Sequence, residues 1–188
     1  MLRWFGPLTI VLLFAMVLTR VQLLRSRGTA AMKFGELDKT DFLIPPFAIF
    51  YFYVIIAGAF DWPSPVRTSF ELPLWVSWLG VLSCAIGLIV MLLALISFGT
   101  SFRVGIDVDH PGALVTSGIF AVTRNPIYVA FAFILLGEFL LFPNWVLAFY
   151  LIGGIALFHR QVLREEAFLA THYGAEFSAY CKRVRRYL

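Results

Sequence analysis

The chain has 188 residues, of which 61% are hydrophobic and 14% charged; an ordinary soluble domain carries about 45–50% apolar and about 25% charged residues. That balance excludes a typical soluble enzyme and indicates an integral membrane protein, with room for one domain over residues 1–188. The net charge of +4 has no basic stripe on a polar domain to occupy, so it does not indicate nucleic acid.

Five apolar segments follow in chain order, at residues 4–24, 42–60, 74–98, 127–142 and 145–158. Crossing the hydrocarbon core takes about 20 apolar residues, and the first three segments are long enough. The last two are short and joined by Pro143-Asn144, which predicts an antiparallel helical hairpin that recruits flanking residues or thins the bilayer locally. The fifth helix is expected to run on past His159 as a wet, charged extension. The fold class is therefore all-α and multi-pass, with about five transmembrane helices. Residues 1–98 hold three spans, and 99–188 hold a loop, the hairpin and a tail. Segment 4–24 could instead be a signal peptide with Arg3 as its charged region. Its apolar stretch is long for that, and no small-x-small cleavage site follows it.

Five spans with the N-terminus outside put Arg20, Arg25, Arg27, Lys33, Lys39, Arg103, Arg124, Arg160, Arg164, Lys182, Arg183, Arg185 and Arg186 on the inner side. Only Arg3 and Arg67 fall outside, which accounts for all 15 basic residues. Such a bias is the positive-inside signature, so the basic charge reports topology, with a cytoplasmic C-terminus. Cys84 and Cys181 match no metal or redox spacing and read as structural. His110, His159 and His172 make no metal trio.

The polar residues gather in the loop 99–125 and the tail 159–188, which flank the hairpin and so meet at its base. Gly112 and Gly118 suit tight turns or close approach of backbone to a ligand. Arg124-Asn125-Pro126 then precedes Ile127 and Tyr128. One reading is local: Arg124 marks the membrane boundary, Asn125 caps the fourth helix and Pro126 starts it. The other makes the cluster a wall of a binding site. In the tail, Glu165-Glu166 lies beneath the hairpin. It is either salt-bridged to Arg160 or Arg164 at helical spacing or placed to capture a cationic group. Leu169, Tyr173, Phe177, Cys181 and Val184 form a helical stripe, interrupted at Gly174, that reads as a packing face. Glu138 falls within the fourth span near its outer end and either reaches the outer interface or has a functional role.

The runs GALVTSGIFAVTRNPIYVAF and REEAFLATHYGAEFSAYCKRV together resemble the isoprenylcysteine carboxyl methyltransferase and phospholipid methyltransferase superfamily over residues 103–188. The resemblance implies an integral-membrane enzyme that uses S-adenosylmethionine. It implies that Gly112, Ala113, Leu114 and Val115, with Gly118, line the cofactor and that Phe120 packs near its adenine. It further implies that Asn125, Pro126, Ile127 and Tyr128 wrap the cofactor and that Glu165 binds its amino group. Arg124 or Arg164 would hold an anionic acceptor, and Glu166 or Tyr128 would orient a nucleophile.

Two positions depart from the pattern. Asn125 stands where the best-known branch has histidine, so no imidazole base is available there. Gln161 stands where the prenylcysteine branch has an arginine that holds the substrate carboxylate, which weakens the case for that substrate. The expected function is methyl transfer to a lipophilic or membrane-associated acceptor, an isoprenylcysteine-type carboxylate, an amino-phospholipid or a thiol. Membrane lipid is the expected surrounding partner. The alternative is a non-catalytic membrane scaffold or small permease, although the paired broken helices or repeats of permeases are absent from the sequence.

Overall fold

The computed structural model describes residues 2–26, 44–62, 70–99 and 114–188. Gly112 and Ala113, with Arg27, Lys33, Lys39, Arg67, Arg103 and His110, lie outside the described residues.

A short 3-10 turn, Leu2–Trp4, leads into α1, Phe5–Arg25; α2 is Ile44–Ala59, α3 is Leu74–Ser97, α4 is Pro126–Leu141 and α5 is Trp145–Arg183. No strand occurs among the described residues. The chain is a multi-pass membrane protein, with α1, α3 and α5 long and apolar enough to cross a bilayer and α2 and α4 as shorter apolar helices. Within the described residues α2 covers the second apolar segment from 44 to 59. The 16 residues of α4 span about 24 Å at 1.5 Å per residue, less than a hydrocarbon core of about 30 Å. α5 has 39 residues. Its apolar stretch, 145–158, is continued by the expected polar extension to a non-helical turn at Gly174 (φ 51°, ψ −117°).

The tightest packing joins α3 to α4, and small residues explain it. A Cβ on Gly80 would stand 2.9 Å from the Gly137 carbonyl, and one on Gly137 would stand 2.4 Å from Cys84 Sγ. In lipid, where apolar burial between helices has little driving force, close backbone approach and interhelical hydrogen bonds hold helices together. Ser83 supplies one such bond, 2.7 Å to the Phe133 carbonyl. α1 closes the bundle at one end through Val21 and Leu24, which pack on Met91, Leu95 and Ala130. At the other end Ile10 joins Tyr51, Ile55, Leu147 and Tyr150.

The two ends differ in chemistry. All five tryptophans, Trp4, Trp62, Trp75, Trp78 and Trp145, lie at or within one turn of the end where α1, α3 and α5 begin. This is the expected aromatic belt of one membrane interface. The opposite end carries Arg20, Arg25, Arg124, Arg160, Arg164 and the basic residues after Gly174, and the candidate site is built there.

Candidate functional site

The site begins where α3 ends. Gly118 has φ +62°, and a Cβ there would meet Ser97 Oγ at 2.2 Å, so only glycine lets the chain turn against α3. The Ile119 amide donates to that same Ser97 oxygen (3.2 Å). A 3-10 turn, Gly118–Ala121, follows. Its Phe120 ring is buried edge-on against Phe98, with centroids 4.6 Å apart. Tyr180, from the far end of α5, donates to the Phe120 carbonyl (2.6 Å). Burial pushes the Tyr180 phenol up to about 12, so it stays a donor.

The chain then enters α4. Pro126 occupies the first turn of α4, where its missing N–H costs no hydrogen bond. Asn125 sits at the helix-capping position with non-helical backbone, yet its side chain makes no cap bond. Its amide instead donates to Glu166 Oε1 (3.0 Å) and to the Arg186 carbonyl (3.2 Å). The local reading of Asn125 as a side-chain cap therefore fails: its Nδ2 is held by Glu166 and the Arg186 carbonyl, and the side chain so oriented makes no bond to the first turn of α4.

Glu166 is the centre of the polar base. It is 8% exposed, accepts hydrogen bonds from Asn125 and from Arg186 Nε at 2.9 Å, and forms an ion pair without a hydrogen bond with Arg124 Nε at 3.6 Å. Arg124 also donates to Cys181 Sγ. The glutamate therefore pairs with cations from two other segments, the entry to α4 and the tail after α5. The segment after α5 runs beside residues 123–125: Thr123 and Arg185 form a parallel bridge, the Arg124 amide donates to the Arg185 carbonyl (2.9 Å), and Thr123 Oγ1 donates to the Arg186 carbonyl (3.2 Å).

Glu165 has a different environment. α5 leaves its apolar stretch at Phe158, whose ring packs on Tyr128 and Phe131; Glu165 lies two turns further on, outside the span. Tyr128 donates to Glu165 Oε1 at 2.5 Å, and Gln161 Nε2 donates to the same oxygen at 3.2 Å. Both partners are neutral. Burial pushes the Glu165 carboxyl above its ordinary value, and the two hydrogen bonds oppose that shift. Gln161, at the position of the arginine in the prenylcysteine pattern, thus serves Glu165.

The structure brings Arg124, Asn125, Pro126, Tyr128, Glu165 and Glu166 together at one base, with Gly118 and Phe120 on its α3 side. Leu114 and Val115 are half-buried where the described chain resumes, and Ile127 packs on the α1–α3 cluster. Arg164 lies on the exposed face of α5, roughly opposite Glu166 on the helix. Sequence reasoning missed Thr123, Tyr180 and Arg186 as parts of the base. Arg185 and Arg186 read locally as basic residues at a membrane boundary; only the return of the chain across Thr123 shows their role.

Residues 75–176 match the model of the phospholipid methyltransferase family, more than half of the chain. A stretch of 79 residues is 37% identical to the protein-S-isoprenylcysteine O-methyltransferase of Schizosaccharomyces pombe, covering 40% of this chain and 32% of that relative. The matched stretch thus spans about a third of the length of the curated relative. With nearly all of α3, the whole of α4, the hairpin joint and the paired glutamates inside the family match, the chain belongs to the phospholipid methyltransferase family.

Proposed function

We propose that this protein transfers a methyl group from S-adenosylmethionine to a lipophilic acceptor at the base of the α4–α5 hairpin. The reading rests on family membership and on one observation. Glu165 is a largely buried carboxylate whose described hydrogen-bond partners, Tyr128 and Gln161, are both neutral. A carboxylate so placed suits a cationic amino group, and the residues of the base fit the cofactor in that respect. When bound, S-adenosylmethionine supplies an electrophilic methyl group on a sulfonium.

The chain's own residues have separable tasks in this proposal. Glu165 binds the amino group, and Tyr128 holds the Glu165 carboxylate in place. Asn125, Arg124, Glu166 and Arg186 form a charge-paired frame that fixes the α4 entry against the tail. Phe120, buried on Phe98, keeps the loop wall dry, and Leu114, Val115, Gly118, Pro126 and Ile127 complete that wall; Gly112 and Ala113 would extend it. Holding donor and acceptor in reactive geometry supplies much of the barrier reduction in such a transfer, and excluding water assists. Arg164, exposed at the same level, would meet an anionic acceptor headgroup at the membrane surface. The basic bias of the site end over the tryptophan end supports a cytoplasmic site.

The test is transfer of radiolabelled methyl from S-adenosylmethionine by the purified protein in lipid. Acceptors are a farnesylated cysteine, phosphatidylethanolamine and an alkyl thiol in parallel, with Glu165→Gln as control. Label in one acceptor that depends on Glu165 supports the reading and names the acceptor class. Folded protein that neither transfers label nor binds S-adenosylhomocysteine overturns it in favour of a non-catalytic membrane scaffold.

A further inference from the structure

Glu138 lies on α4 one turn before that helix ends, far from the polar base. It is 0% exposed, and neither carboxylate oxygen has a hydrogen-bond partner. Four helices meet around it. From α1, Gly6 leaves the space in which the carboxylate sits: a Cβ there would stand 2.6 Å from Glu138 Oε2. From α2 comes Tyr51, whose own buried hydroxyl also lacks a partner. From α3 comes Cys84, in contact with Thr9 of α1 and packed against Gly137. Tyr150 of α5 packs against Tyr51 at a tilt, with ring centroids 5.0 Å apart.

An unpaired charge in this setting is strongly disfavoured by loss of its hydration, and ionisable groups inside a membrane carry a partner or a task. The titratable groups that face Glu138 are Tyr51 and Cys84 and, through Tyr51, Tyr150. None of these becomes positive in any protonation state. The described cation at this end is Arg3, whose side chain is 46% exposed and paired with Asp61. Glu138 therefore has no positive side chain to neutralise it among the described residues.

We propose that Glu138 is a binding site for one positive charge supplied from outside the chain, a proton or a small monovalent cation. Its position points to the tryptophan-belt face as the side of supply. A groove of about 730 Å³ opens there, lined by Arg3, Phe5, Ser77, Trp78 and Leu141. Leu141 is one turn outward of Glu138 on α4, Phe5 one turn outward of Thr9 on α1, and Ser77 two turns outward of Cys84 on α3. The groove and the carboxylate thus occupy successive levels of the same three helices. This site does not depend on the proposed methyl transfer.

The experiment measures thermal unfolding of the purified protein in lipid, for wild type and Glu138→Gln. It varies pH at fixed salt, and then exchanges sodium for potassium or choline at fixed pH. Glutamine keeps the shape of the side chain without its charge. The expected result is a wild-type midpoint that moves with one of the two variables, and a variant in which that response is lost. Response to pH alone identifies the proton, and response to the cation identifies the ion. A variant that tracks wild type in both series overturns the proposal. If Glu138→Gln does not fold, infrared spectra of the Glu165→Gln protein with isotope-labelled glutamate answer the same question. A protonated-carboxyl band that persists at neutral pH, or a carboxylate band that shifts with the cation, supports the site; spectra with neither overturn it.

Discussion

Replacing Glu166 with alanine tests whether the polar base is held by the long-range network or by α5 alone. The substitution removes the acceptor of Asn125 (3.0 Å) and Arg186 (2.9 Å) and the partner of Arg124 at 3.6 Å. The Arg186 side chain is 38% exposed, so its pair is screened and contributes at most about 1 kcal/mol. The Arg124 side chain is 12% exposed, and stranding a buried cation costs about 3–5 kcal/mol when the pair is close. At 3.6 Å, with Cys181 retained as a second partner, the lower end applies. With the Arg186 pair and the Asn125 bond added, a total loss of about 3–5 kcal/mol follows. For a chain of this size each kcal/mol moves the melting temperature by about 2–4 °C, which gives a fall of about 6–20 °C. Thermal unfolding in detergent, followed by circular dichroism, reads it directly. Lys182→Ala, exposed on the same helix, serves as control and should stay within about 0.5 kcal/mol of wild type. A Glu166→Ala midpoint indistinguishable from that control would refute the reasoning and leave the ion pairs as geometry without energetic weight.

Glu165→Gln should weaken S-adenosylhomocysteine binding by about 10- to 100-fold, as expected for losing a hydrogen bond to a charged group, with little change in melting temperature; calorimetric titration checks both. Tyr128→Phe should give a smaller loss, since it frees the carboxylate without removing it. The raised Glu165 pKa sets the pH dependence: the ligand's ammonium needs the ionised carboxylate, so affinity falls as pH drops through that raised value, and Glu165→Gln flattens the curve. For the ligand-free fold the sign reverses: a raised acid stabilises at low pH, and that contribution is lost as pH rises through the same value. Gly80→Ala should cost about 1–3 kcal/mol by overpacking, because its Cβ would press on the Gly137 backbone at 2.9 Å, and should show as a lower thermal midpoint with unchanged ligand affinity for the folded fraction.

Much of this protein was legible without coordinates. The membrane class follows from 61% hydrophobic residues, because so apolar a surface has no stable place in water. The α4–α5 hairpin follows from two short apolar runs about Pro143-Asn144, since a two-residue joint forces antiparallel neighbours. Pro126 marked the start of α4 because a proline is tolerated at that position without loss. The meeting of Arg124-Asn125 with Glu165-Glu166 followed in turn, since both flank the same hairpin. These are local or periodic properties, and local chemistry carries them.

Only the tertiary structure decided the partners. Helical spacing offers Arg160 and Arg164 to the glutamates, but it could not supply the pairs of Glu166 with Arg124 and Arg186, which lie 42 and 20 residues away. Asn125 had the composition and position of a cap, but a carboxylate from α5 claims its amide. Glu138 stood near a helix end in the sequence and could have reached the interface; the close contact of α1 with α4 at Gly6 encloses it instead. In each case the sequence lists the groups able to form a bond, while the choice among them depends on which backbones can approach. That approach is set by small residues such as Gly6, Gly80 and Gly137, whose importance lies in side chains they do not have.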